Sequence, residues 1–164
     1  MPEFVLGSQG VLYYASDGPI DGTTPTFVNA LWVEIPNVMD VDDDFSSDSI
    51  DTTTRAEAKS GWNSETRTTK SGTIKFTSRW KPGGTDAAFD ALRDAWLTNA
   101  AIAVMDLDGA KDVNGNQGLA ANFTVSFSKK KPVKGIMTVE VELSVNSWPT
   151  WVLVAGDVLT DALA

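Results

Sequence analysis

Carboxylates are the only side chains in this sequence with the means to do acid–base chemistry near neutral pH, because its 164 residues include neither histidine nor cysteine. Ser–His and Cys–His nucleophile pairs are therefore excluded. Disulfides and imidazole or thiolate metal sites are excluded too. No Gly-rich phosphate loop of the G-x-x-x-x-G-K-S/T or G-x-G-x-x-G kind occurs. Glu140 and Glu142 stand two apart, on the outer face of one strand pattern. Glycoside hydrolysis needs two acids across a cleft in unlike environments, which neighbours on a solvated face do not provide, so no catalytic residue is assigned. Asp40, Asp42 and Asp44 have the first three spacings of a calcium loop. Phe45 stands where that loop needs glycine, and Asp51 where it needs a bidentate glutamate. Asp106, Asp108, Asp112 and Asn114 form a second, looser group. No metal and no cofactor is expected at either.

What remains is surface. Residues 40–51 hold six aspartates and no base, residues 55–81 hold seven Lys/Arg against two Glu, and residues 129–134 add four lysines. Such segregation suits a head-to-tail contact, in which an acidic surface of one copy meets a basic surface of the next. Of the six tryptophans, Trp32, Trp80 and Trp96 fall in strand or helix patterns and are expected in the core. Trp62, Trp148 and Trp151 fall outside them and are candidate interface anchors. The candidate subunit interface is thus Asp42, Asp43, Asp44, Phe45, Ile50, Arg55, Trp62, Arg67, Lys70, Trp148 and Trp151. The alternative is a carbohydrate-binding β-sandwich that stacks sugars on Trp62, Trp148 or Trp151. The formal net charge of −9 disfavours tight binding of DNA through a basic face.

The elements that must carry these residues are mostly strands. Apolar alternation predicts strands over Phe27–Ile35, Gly72–Trp80, Leu119–Phe127 and Met137–Val145, and a short apolar run predicts another over Ala101–Leu107. One helix is predicted over 86–99, capped by Thr85, with Ala88, Phe89, Leu92, Ala95 and Trp96 inward and Asp86 outward. Residues 42–71 are polar throughout and Thr-rich, which predicts a long protruding loop or hairpin. Residues 81–84 and 129–132 read as turns. The expected whole is a single mainly-β domain over 1–164, a two-sheet sandwich or barrel with one packed helix. An N-terminal arm (about 1–14) and a C-terminal extension (about 147–164), which has no evident place in the sheet, complete it. No apolar run is long enough to span a membrane. Met1–Gly7 has neither a basic stretch nor a long apolar core, so no signal peptide is expected and the chain is expected to stay in the cytoplasm where it is made.

The succession Asp51-Thr52-Thr53-Thr54-Arg55, then Gly61-Trp62, then Lys70-Ser71-Gly72-Thr73-Ile74-Lys75-Phe76, then the 86–99 helix resembles the major tail-tube proteins of long-tailed bacteriophages over roughly residues 30–145. The resemblance implies a β-sandwich-like barrel with a flanking helix, and six-fold rings stacked into a hollow tube for DNA passage. It also implies kinship with the tube protein of type VI secretion. A homo-oligomer is expected, in a phage virion made in a bacterial host. Tape-measure and tail-terminator proteins are the expected partners, and DNA is expected to cross the lumen without specific binding.

Overall fold

The computed structural model describes residues 7–20, 30–80, 86–156 and 158–163. After a 3-10 turn at Gly7–Gln9 come β1 (Val11–Ala15), β2 (Trp32–Glu34) and β3 (Val38–Asp51). A short helix α1 (Arg55–Lys59), β4 (Glu65–Arg79), α2 (Ala87–Thr98) and β5 (Ile102–Leu107) follow, then β6 (Gln117–Lys130), β7 (Thr138–Ala155) and β8 (Val158–Asp161). The fold is mainly β, as expected. The strands form one hydrogen-bonded antiparallel sheet rather than two, in the order β2-β1-β5-β6-β7-β4-β3, with β8 paired to β7.

This order forces the sheet to curl. β2 and β3 lie at opposite ends of the path, yet only Ile35, Pro36 and Asn37 separate them in sequence. Four residue steps reach about 14 Å at most. Six strand gaps in a flat sheet would set the two edges about 28 Å apart. The barrel-like closure is visible where Ile35 N–H donates to the Leu12 carbonyl (2.8 Å) and Arg79 N–H to that of Asn37 (3.1 Å). One sheet therefore does the work expected of two layers.

The larger core lies inside the curl. It joins Leu12 and Tyr14 of β1, Ile102 and Val104 of β5, and Phe123 of β6 to Ile74, Phe76, Val141 and Leu143 from the other half. Helix α2 adds Ala88, Leu92 and Ala95 to it and lies against β5 and β6. A second cluster on the opposite face of β1 and β5 includes Trp32, Met105, Val152, Val154 and Leu159. The sheet bends where the β6–β7 register shifts at Asn122. The Asn122 side-chain oxygen accepts from Ile20 N–H (2.7 Å), and its amide donates to the Ile20 carbonyl (2.8 Å) and Ser147 Oγ (3.1 Å). These bonds offset the cost of taking the amide out of water.

Several expectations need correction. Residues 147–164 are not an extension outside the sheet, because β7 runs on to Ala155, pairs with β6 through Leu153, and is covered by β8. Helix α2 is capped by Asp86, whose buried carboxylate accepts from Phe89 N–H (3.1 Å), so Asp86 does not face outward. Thr85, the turn at 81–84, Phe27–Asn29 and residues 1–6 of the N-terminal arm lie outside the described residues. The rest of that stretch is not an arm, because Val11–Tyr14 belong to β1, which pairs with β2 and β5 and buries Leu12, Tyr13 and Tyr14. In and beside β2 the apolar alternation points the other way: Leu31 and Val33 are exposed and Trp32 is buried. Trp96, expected in the core, is 48% exposed. The 42–71 segment is a hairpin, one of the two forms expected, with β3 against β4 and the unexpected helix α1 at its tip.

Candidate assembly interface

The hairpin carries most of the expected interface residues. β3 pairs with β4 from Val38↔Ser78 to Asp51↔Glu65, but β4 pairs with β7 only from Thr73 to Arg79. The outer part of the hairpin therefore projects beyond the body of the sheet. Its tip is held by local bonds. Thr54 and Glu57 form a reciprocal capping box on α1, and Thr52 N–H donates to the Ser64 carbonyl (2.9 Å). Glu57 is held below the ordinary carboxylate range, first by the Thr54 backbone N–H. Arg55 opens α1, and Trp62 follows it at 78% exposure. Ile50 is exposed, Arg67 donates to Ser47 Oγ, and Lys70 lies across from Ser47.

The sequence blocks of opposite charge do not form two separate surfaces. They are neighbours across one ladder, with Asp42 opposite Lys75 and Asp44 opposite Thr73. Strand periodicity sorts β3 into two faces. Asp40 and Asp42 line an open depression on the outer face together with Lys75, Thr77, Ser126, Ser128, Glu140 and Glu142. Asp44, Thr73, Ser144 and Thr124 continue the same face by register. Although Phe76, Phe127 and Val141 also border the depression, the side chains that the register places on this face are all polar. Its five carboxylates outnumber Lys75, Arg79 and Lys130, and Lys130 is bound to Glu140 (2.6 Å). Asp40, Asp42 and Asp44 thus stand in a row on a strand instead of wrapping a loop around an ion.

From Val41 to Phe45 the other face of β3 is apolar with one exception. Val41 and Met39 are 39% and 42% exposed. Phe45 meets Trp151 edge-on, with ring centroids 6.2 Å apart. The Trp151 indole N–H donates to Gln117 Oε1 (2.9 Å), and Trp148 is exposed with a left-handed φ of 54°. Trp62 is at the hairpin tip, apart from both, so the three tryptophans do not form one stacking platform.

The exception is Asp43. Its carboxyl is hydrogen-bonded to Asp106 of β5 across the seam that closes the curl. The sequence singled out Asp106 only as part of a loose cation cluster. Burial, then the hydrogen bond and charge of Asp43, then the charge of Asp108 push the Asp106 carboxyl up to about 9. An unfolded aspartate titrates near 3.9. Between about pH 4 and pH 9 the folded chain therefore keeps a proton that the unfolded chain releases. This contribution to stability is complete below about pH 4 and drains away as pH rises toward 9. Asp106→Asn keeps a donor for Asp43 and removes the titration. Thermal melts should show the variant gaining on the native chain steadily as pH is raised from about 5 to 9. A melting-temperature difference that stays flat over that range would disprove the shared proton.

The feature that sequence patterning missed is an open edge. On its β5 side β6 pairs only through Ala120–Phe123, so Thr124–Lys130 have no strand partner there among the described residues. β3 likewise has no partner strand beyond β4 among the described residues. The segment β6-β7-β4-β3 is thus a four-stranded sheet with two free edges. Such edges are templates for further pairing.

No protein-family model matches the chain, and no curated protein does. Solved structures do match. The tail of an empty gene transfer agent particle, refined with C6 symmetry, superposes with a TM-score of 0.66 at 14% identity, over 89% of this chain and 97% of that one. The virion of a native gene transfer agent particle contains a chain that superposes at 0.62 and 13% identity, with the same coverage. The SPP1 tail tube gives 0.66 at 15% identity, over 90% of this chain and 78% of that one. The chain has the fold of the tail-tube proteins that its sequence resembles.

Proposed function

We propose that this chain is the structural subunit of a phage tail tube. The observation that carries the reading is the four-stranded segment with two free edges and one acidic wall of polar side chains. Along β6-β7-β4-β3 the strands alternate in direction. Rotating a copy about a tube axis keeps each strand's direction relative to that axis. The β3 edge of one copy therefore meets the β6 edge of the next antiparallel, and a ring closes with no change of pattern and no exposed edge.

The faces match as well. Asp40, Asp42 and Asp44 continue the row of Thr124, Ser126 and Ser128, and Val41 continues that of Val125 and Phe127. With six copies, as in the C6 gene transfer agent tail, strands about 4.8 Å apart give a ring roughly 37 Å across between backbones. A side-chain layer of about 5 Å on each wall leaves about 27 Å, enough for a DNA duplex. The acidic wall faces that bore, where like charge keeps the polyanion from adhering. The hairpin, projecting along the axis, reaches the next ring. The tube stands in a virion tail, assembled in the bacterial host, with tape-measure and tail-terminator proteins as further partners. The subunit needs no catalytic residue and no cofactor.

Electron microscopy of the concentrated purified chain is expected to show hollow tubes of constant width. Particles that remain monomeric at every concentration, with and without tail-tip components, would overturn the reading.

A further inference from the structure

Two apolar surfaces stay partly exposed among the described residues, and they flank the two free edges. On the β6 side, Trp96 of α2 packs edge-on to Phe127, with centroids 5.3 Å apart, so the helix leans on the strand that carries the open edge. Trp96 is nonetheless 48% exposed, and Leu97 beside it is 62% exposed. On the β3 side, Val41 is exposed on the face that continues the Phe127 row, and Met39, also exposed, lies beside it in the irregularity where the β3–β4 register shifts between Val38 and Val41. Large apolar side chains gathered at one place on a surface mark an interaction site.

We infer that α2 of one copy clamps the joint with its neighbour, Trp96 and Leu97 lying over Met39 and Val41 of the next copy's β3. This rests on the ring reading above and names the contact that secures it. The occupant is a second copy of this chain, because the same edge pairing that continues the sheet carries the neighbour's Met39 and Val41 to the strand under α2. Backbone pairing alone is tolerant of register slips. An apolar helix contact over the joint would select one register, since a slip of one residue turns Asp40 and Asp42 toward Trp96 instead.

The absence of cysteine from the native sequence makes the test clean. The full chain carrying both Met39→Cys and Leu97→Cys is treated with a short bifunctional maleimide under conditions that give tubes, then run on a denaturing gel. A ladder of covalent multimers is expected, because each copy offers one partner of the pair at each edge. Met39→Cys or Leu97→Cys alone should give no ladder, and a mixture of the two single variants should give dimers only. Tubes of native width without cross-linking of the double variant would overturn the clamp and leave the ring reading standing. A monomeric product linked within the chain would also overturn the clamp. Absence of both tubes and cross-links would overturn the two together.

Discussion

Gly118→Ala is expected to remove a large share of the chain's folding stability. A Cβ built on Gly118 meets the Asp106 carbonyl oxygen at 1.6 Å, its carbon at 2.7 Å and the Leu107 Cα at 3.1 Å. All three are backbone atoms, so no side chain can swing aside. β5 would have to move away from β6 at the point where the Asp108 N–H donates to the Gln117 carbonyl (3.1 Å). One face of both strands is fully buried here, with Met105, Leu107 and Ala120 at 1% exposure or less. Forced overpacking in such a place costs about 3 kcal/mol or more, against a total stability of about 5–15 kcal/mol. Chemical denaturation of Gly118→Ala beside the native chain would measure it. A midpoint within error of the native one would show that β5 and β6 are not as close as described. Gly72→Ala makes a useful comparison: its Cβ would press on the Val145 side chain at 3.0 Å and on Phe45 at 3.3 Å, both able to shift, so its effect should be much the smaller.

Val41→Lys is expected to abolish tubes while leaving a folded monomer. Val41 is 39% exposed at the β3 edge, so a lysine there reaches water in the free subunit and unfolding should be little changed. In the proposed ring that side chain is covered by the neighbour. A buried ammonium without a partner costs several kcal/mol, and inward charge on an edge strand is how soluble proteins block such pairing. Because each subunit makes this contact at both edges, the critical concentration for tubes should rise by at least about a hundredfold. Light scattering against concentration would read it. Asp42→Asn, one residue away but on the wall facing the bore, should assemble at the native concentration or below, since it removes like charge. If Val41→Lys assembles like the native chain, β3 is not the joining edge.

The strands with one buried face were legible in the sequence. Val139, Val141 and Leu143 alternate with exposed Glu140 and Glu142, and that period is what the sequence displays. The 147–155 stretch was hidden because Pro149 reads as a strand breaker. It is tolerated because the β6–β7 register shifts there: Asn122 pairs with Ser147 and Ala120 with Thr150, so Trp148 and Pro149 fall in the irregularity. Trp148 takes its left-handed φ in the same place. The outer hairpin was legible as a protruding loop or hairpin, but its strand boundaries and register were not, for the opposite reason. Neither of its faces is buried, so no alternation marks it, and only its length and Thr content suggested extended chain. Blocks of charge along the chain suggested two surfaces, but a hairpin folds consecutive segments onto each other and turns such blocks into cross-strand neighbours. Free edges leave no trace in residue types, so the open edge at Thr124–Lys130 came only from the pairing pattern.

The alternation of strand directions across β6-β7-β4-β3 also bears on how an assembled cylinder would carry force. An even number of alternating strands makes the joint between copies the same kind of ladder as the joints within a copy. Pressure from inside would load every ladder around the circumference equally, leaving no preferred line of rupture. Bursting such a hoop would take about as much work at the boundary between molecules as at the middle of one.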